Sequence, residues 1–206
     1  MTESSNDADL QPWVGQTCDG LADLLAAEPT ATWDAPSLCA GWQVRHVVAH
    51  VTMPARLTPQ QFGAEMAAAG GDFQRLSDTV AARDAALPGA DLLAALRSPV
   101  LHAWQPPGGG AAGALDHAVV HALDVTVALG RPSVAPAPAV LAVLDELTAA
   151  EGAVFGIDLT GVRLEAPDAG WSWGEGVGDV VRADSGALVS LLAGRRLPDG
   201  RALRRR

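Results

Sequence analysis

Tyrosine is missing from this chain, and phenylalanine occurs only three times. Six tryptophans therefore carry most of the bulky aromatic surface. Cysteine occurs twice, at Cys18 and Cys39, with no CxxC pair. That composition excludes a disulfide scaffold, and a structural disulfide is not expected in a reducing compartment. Cations are outnumbered, with 14 Lys plus Arg against 24 Asp plus Glu and a formal net charge of −10. Such a surface repels phosphate backbones and anionic lipid, so neither nucleic acid nor a membrane is an expected partner. The most apolar stretch, AVVHALDVTVALG, contains His121 and Asp124 and is too short to span a bilayer. The opening MTESSNDADL has neither the basic nor the apolar part of a secretory signal, which makes the cytoplasm the default location.

What is present is alanine-rich and mostly helical in pattern. Of 206 residues 49% are hydrophobic, enough for one domain, or for one medium domain with a small companion. Helical spacing predicts a first helix within residues 11–27, weakened by Gly20. Val44, Val47, Val48 and Val51 make a second stripe, stopped or bent at Pro54. Residues 59–86 read as a longer helix with a possible break at Gly70-Gly71, and PGADLLAALRSPVLHAW reads as another. DHAVVHALDVTVALG lies on a helix closed by Gly130 and Pro132, and AVLAVLDELTAAEG makes one more. Near residue 160 the spacing changes to alternation. Val162, Leu164 and Ala166 share one face, Trp171 and Trp173 also share a face, and 177–182 makes a further strand before a short helix in ALVSLLAGRR. The fold class expected is mainly α: a four-helix-type bundle over residues 11–133, then a small mixed α/β domain over 137–198. The arginine-rich end, RRLPDGRALRRR, reads as a solvated, disordered tail, with anion binding as the weaker alternative.

No GxSxG, P-loop or GxGxxG before a helix is present, and GEGVGD at 174–179 reads as a turn. The chemistry-bearing residues are the histidines. His117 and His121 are four apart, so on a helix their rings lie on one face. His46 and His50 repeat that spacing on another helix. A facing pair plus one histidine from a second helix would give a three-nitrogen cap with an open position for zinc or nickel. The same spacing is also compatible with ordinary core or surface histidines. HAVVH is not HExxH, so the zincin general base is absent. Asp116 and Asp124 are placed to hold outer ring nitrogens, or else to cap, to pair with arginine or to face water.

Three ordered stretches resemble one family. They are Trp33-Asp-Ala-Pro with CAGWQVRHVVAHV at 39–51, DHAVVHALDVTVALGRP at 116–132, and LEAPDAGWSWGEG followed by ALVSLLAGR. Together they are similar to the mycothiol-dependent maleylpyruvate isomerase family of DinB-like metal-binding bundles, over about residues 13–198. The resemblance implies His50, His117 and His121 as metal ligands, a divalent metal (zinc, with nickel possible) and mycothiol as cosubstrate. It implies Arg195, with Arg196 next, as the group that binds a substrate carboxylate through two hydrogen bonds. Two positions depart from the pattern: His117 stands where the isomerase has glutamate, and His46 where the family usually has aspartate.

The function so implied is a metal- and mycothiol-dependent isomerase or transferase acting on a small electrophile, as a monomer or small homo-oligomer. A hydrolase using metal-bound water and a non-catalytic metal- or ligand-binding bundle are the alternatives. Further expectations are that His102 lies outside the site and that His46 is at most a neighbour of it. Cys39 is expected to be a reduced structural residue. Trp42 is expected to open the His50 helix, and the free metal position to face a cleft under the C-terminal domain.

Overall fold

The computed structural model describes residues 7–175 and 178–206, with side chains described from Leu10 onward. The first helix, α1 (Asp7–Ala27), starts four residues before the expected stretch and keeps Gly20 inside it. A Cβ at Gly20 would sit 2.9 Å from the Val134 carbonyl oxygen, so the glycine permits a close backbone crossing. A short 3-10 turn holds the buried Trp33, and α2 (Val44–Val51) follows. The chain bends at Thr52 into α3 (Met53–Arg56), whose second residue is Pro54. The expected break at Gly70-Gly71 is present: both glycines have positive φ and separate α4 (Pro59–Ala68) from α5 (Phe73–Asp84).

The PGADLLAALRSPVLHAW segment is two helices, not one. Pro99 cannot donate to the turn before it and disfavours helical geometry at Ser98. The result is α6 (Gly89–Leu96), an extended Ser98 that caps the next turn, and α7 (Pro99–Ala103).

The central rod is α8 (Gly110–Thr126). Its buried residues occur all around its circumference, from Ala111 to Thr126, as expected of a helix enclosed by neighbours. α1, α2 and the α6–α7 pair pack with it as a four-helix bundle. α9 (Ala137–Ala149) lies against α8 and α10 (Ser185–Leu192). A small three-stranded sheet completes the mixed C-terminal domain, in the order β2-β1-β3, where β1 is Val162–Ala166, β2 is Trp171–Trp173 and β3 is Asp179–Arg182.

β1 and β2 form the expected antiparallel pair, with Leu164 opposite Trp173 and Ala166 opposite Trp171. Residues directly opposite share a face, so both tryptophans lie beside the buried Leu164 and Ala166 and pack on the main core. The Trp171 indole N–H donates to Asp145 on α9 at 2.8 Å. β3 pairs with β1 in parallel, a direction that alternation in sequence does not specify. The turn expected over GEGVGD and the strand start at Val177 fall partly outside the described residues. Apolar side chains from bundle, α9, sheet and α10 join one core.

The arginine-rich end corrects the sequence expectation, because it is docked and not a disordered tail. Asp158 N–H donates to the Arg204 carbonyl and Arg206 N–H to the Gly156 carbonyl, each at 2.9 Å, and Ile157 bridges Arg205 in antiparallel fashion. Arg204 also pairs with Asp158. No helix among the described residues is long and apolar enough to cross a membrane.

Candidate metal centre

The connector before α2 sets the first edge of the site. Gly41 has φ +79°, a left-handed turn that strains other residues. Around it the Ser37 hydroxyl donates to the Trp42 carbonyl at 2.8 Å, and Trp42 N–H donates to the Cys39 carbonyl at 2.9 Å. Leu38 N–H donates to the Asp124 carbonyl at 3.0 Å, which pins the connector to α8. Trp42 precedes the helix as expected, with Gln43 as its N-cap.

His46 lies in the first turn of α2, where its Nδ1 accepts the Gln43 backbone N–H at 3.2 Å. That is half of a capping box, and it explains why a polar side chain occupies this position without joining the site. One turn later His50 is buried, 5% exposed, and faces α8.

His50 meets His117 and His121 there. The three ring centroids form a near-equilateral triangle with sides of 5.0, 4.8 and 4.9 Å. Nε2 of His117 is 3.1 Å from Nε2 of His50, and one nitrogen from each of the three rings lies within 4.8 Å of the others. Tetrahedral zinc with Zn–N bonds near 2.1 Å needs nitrogens about 3.4 Å apart. The three residues implied as ligands are thus brought together, and His102 is not among them. Its Nε2 is 2.8 Å from the Leu96 carbonyl, and its ring covers Gly15.

Asp124 sits at the back of the cluster with no exposed surface. Its Oδ2 accepts from His121 Nδ1 at 2.9 Å and from the Cys39 thiol at 3.0 Å. Arg195 donates to it twice, Nε to Oδ1 at 2.8 Å and Nη2 to Oδ2 at 3.0 Å. Burial alone would raise this carboxyl, but His121 and Arg195 outweigh it and hold it down at about 2. Asp124 therefore takes the role open to it from sequence: it fixes the proton of His121 on Nδ1 and leaves Nε2 as the lone pair facing the other rings. Asp116 does not share that role. Its carboxyl faces Glu146 on α9, and burial, then the Glu146 charge, push it up to about 7.

The structure places the two-pronged edge of Arg195 on Asp124, and Nη1 is 3.3 Å from the Ala193 carbonyl. Arg196 faces its own loop, donating to the Gly200 carbonyl at 2.8 Å. Cys39 borders the site, with its Sγ 3.0 Å from Asp124 Oδ2 and 4.0 Å from His121 Nδ1. Burial, then the Asp124 charge, push its thiol up, with Arg195 opposing. Both cysteines are free.

The electrostatics suit a cation held by neutral imidazoles. Burial first, then the neighbouring His121, depress His50 to about 3. Burial, then His121 and His50, depress His117 well below its ordinary value. Neutral rings with convergent nitrogens are what a divalent metal such as zinc or nickel requires. The donor set fits. The second cluster of potential ligands, Cys39 with His121 and Asp124, fits less well, because its carboxylate is already spent on Arg195. Outer support for the triad is uneven, since Nδ1 of His50 is buried without a hydrogen-bond partner.

Around the triad stand three aromatic rings that the sequence motifs did not assemble. Trp42 is 5.3 Å from His50, Trp104 is 5.3 Å from His117, and Phe73 is 6.5 Å from His50, between ring centroids. An open depression of about 340 Å³ adjoins on the connector side, bordered by Pro36, Ser37, Cys39, Gly41 and Trp42. None of its lining comes from the C-terminal domain, so it is not the cleft expected under that domain.

This geometry meets its counterpart in known proteins. Residues 14–149 match the model of the mycothiol maleylpyruvate isomerase N-terminal domain. The chain belongs to that family. The matched stretch ends with the last residue of α9. A crystal structure of the mycothiol-dependent maleylpyruvate isomerase superposes with a TM-score of 0.58 at 17% identity, covering 98% of each chain. At that identity the likeness concerns the fold. Comparison with curated proteins gives no match.

Proposed function

We propose that this protein is a divalent-metal-dependent enzyme that uses mycothiol to isomerise, or to add a thiol to, a small electrophile. One observation carries the reading: three imidazoles converge at the centre of a bundle of this family, with Nε2 of His121 presented by the Nδ1–Asp124 contact. His50, His117 and His121 would hold the metal, zinc or nickel. A divalent cation there supplies Lewis acidity that lowers the pKa of a coordinated thiol.

The chain's own residues do the rest. Asp124 keeps His121 in one tautomer, and Arg195 keeps Asp124 ionised and oriented. Trp42 and Trp104 flank the histidines and restrict water at their edge. Exchange of the family's glutamate for His117 removes one negative charge from the ligand set, which raises the Lewis acidity of the bound cation. The two free cysteines suit a reducing compartment, and the reading places the protein in the cytoplasm.

The test is turnover of small electrophiles by zinc-loaded protein, with and without mycothiol, beside His121→Ala. Thiol-dependent turnover lost in the variant supports the reading. Turnover that ignores the thiol favours metal-assisted hydrolysis, and zinc binding without turnover favours a binding protein.

A further inference from the structure

The peptide unit joining Gly194 to Arg195 is held at both of its polar ends. Its N–H, that of Arg195, donates to the Ser190 carbonyl at 3.0 Å, beside the Gly194 N–H on the Leu191 carbonyl at 3.0 Å, and the pair closes α10. Its carbonyl, that of Gly194, accepts Nη2 of Arg205 at 3.1 Å. Gly194 has φ +75°, and a Cβ there would sit 2.7 Å from that same Nη2. Glycine allows the left-handed turn and leaves room for the guanidinium to close over it.

Arg205 reaches this carbonyl because the end of the chain is docked. It bridges Ile157, which has no exposed surface, in antiparallel fashion. The flanking backbone bonds join Asp158 to Arg204 and Gly156 to Arg206, each at 2.9 Å. Arg206 adds Nε to the Ile157 carbonyl at 3.1 Å and Nη2 to the Glu151 carbonyl at 2.8 Å.

The turn so held delivers Arg195 to Asp124. The fork needs both contacts together, Nε on Oδ1 and Nη2 on Oδ2. Helix ends fray, and a glycine in the turn adds backbone freedom. Rotation of the Gly194–Arg195 peptide would swing the fork off the carboxylate that orients His121.

Resting on the metal-holding part of the reading above, we infer that Arg205 is a positioning residue of the metal centre. It clamps the Gly194–Arg195 peptide and acts on His121 through Arg195 and Asp124. Each link of that chain is a direct contact, and the docked end of the chain thereby helps to set zinc affinity.

Two measurements on the full chain test the inference. In metal-free protein, exchange of the Arg195 Nε–H with solvent, read by heteronuclear NMR, is expected to be about tenfold faster in Arg205→Ala. Arg204→Ala, which removes an ion pair of the same docked end but nothing at Gly194, should leave that rate unchanged. In zinc competition with a chromophoric chelator, Arg205→Ala, at an exposed position, should bind severalfold more weakly. The double variant with Arg195→Ala should bind as Arg195→Ala does alone, because Arg205 acts through Arg195. Unchanged Arg195 exchange in Arg205→Ala, an equal effect of Arg204→Ala, or additive losses of zinc affinity in the double variant would overturn the inference. Faster exchange in Arg205→Ala of a protein that binds no zinc would instead sink the metal reading and leave the clamp on Arg195 standing.

Discussion

Arg195 and Asp124 form a two-point ion pair between the C-terminal domain and the central helix of the bundle, Nε to Oδ1 at 2.8 Å and Nη2 to Oδ2 at 3.0 Å. Asp124 is fully enclosed, so removing its partner strands a buried charge. Arg195→Ala is expected to lower stability by about 3–5 kcal/mol. Arg195→Lys should recover only part, because an ammonium cannot reproduce the fork. Urea unfolding of the three proteins measures this, and a loss under 1 kcal/mol for the alanine variant would show the pair to be idle.

Asp124→Asn tests the orientation of His121. The amide keeps the shape but loses the charge and offers an N–H in competition with His121 Nδ1–H. Zinc affinity should fall by about 10–100-fold, measured by competition with a chromophoric chelator. Unchanged affinity would mean that the 2.9 Å contact does not help to set the ligand.

The metal-free protein should lose stability in mild acid. His50 and His117 stay neutral in the fold, His50 down to about pH 3, whereas the unfolded chain protonates them below about 6.5. The unfolded state then binds more protons, so stability falls as pH drops through that window. Asp116 works in the opposite sense. Its carboxyl is raised to about 7, so its folded form binds a proton that the unfolded chain releases above about 4. His46 is depressed by burial as well, so three histidines outnumber the one raised carboxyl and the net effect is a loss of stability as pH falls from about 6.5 towards 4. Denaturant midpoints at pH 7 and pH 5 check the sign, and a flat or inverted dependence would contradict it.

Cys39 should be a poor nucleophile. Its thiol donates to an ionised carboxylate at 3.0 Å, and burial and Asp124 both raise its pKa. Alkylation by iodoacetamide at pH 8 is expected to be at least tenfold slower than for a free cysteine. Cys39→Ser should keep zinc binding. Rapid modification of Cys39 in the folded protein would refute the protonated thiol.

His117 and His121 were legible as a pair because an i,i+4 spacing on a helix fixes two ring directions. His50 was not separable from His46 by spacing alone, since both lie one turn apart on α2. Family resemblance made that choice, and the structure supplies its cause: His46 sits in the first helical turn, where its ring turns back onto the Gln43 N–H. Asp124 was readable as an outer partner, but Arg195 and Cys39 on the same carboxylate were not, because nothing local ties residues 39, 124 and 195 together. The aromatic rim was hidden for the same reason, as Phe73 and Trp104 reach the triad from separate helices. Alternation showed strands near residue 160 without revealing that β3 runs parallel to β1. The arginine-rich end looked solvated because its docking uses backbone groups of Arg204 and Arg206, which have no side-chain signature.

The metal centre itself is tested most directly by calorimetric titration of the metal-free protein with Zn²⁺, beside His117→Ala, His121→Ala and, as a control, His46→Ala. The unchanged protein and His46→Ala should bind zinc with similar affinity and gain thermal stability as they load. Each of the other two should bind more weakly by well over the roughly 100-fold that loss of an outer partner costs, and should gain no stability. Zinc binding in His117→Ala and His121→Ala as tight as in the unchanged protein would contradict the assignment of the triad formed by His50, His117 and His121.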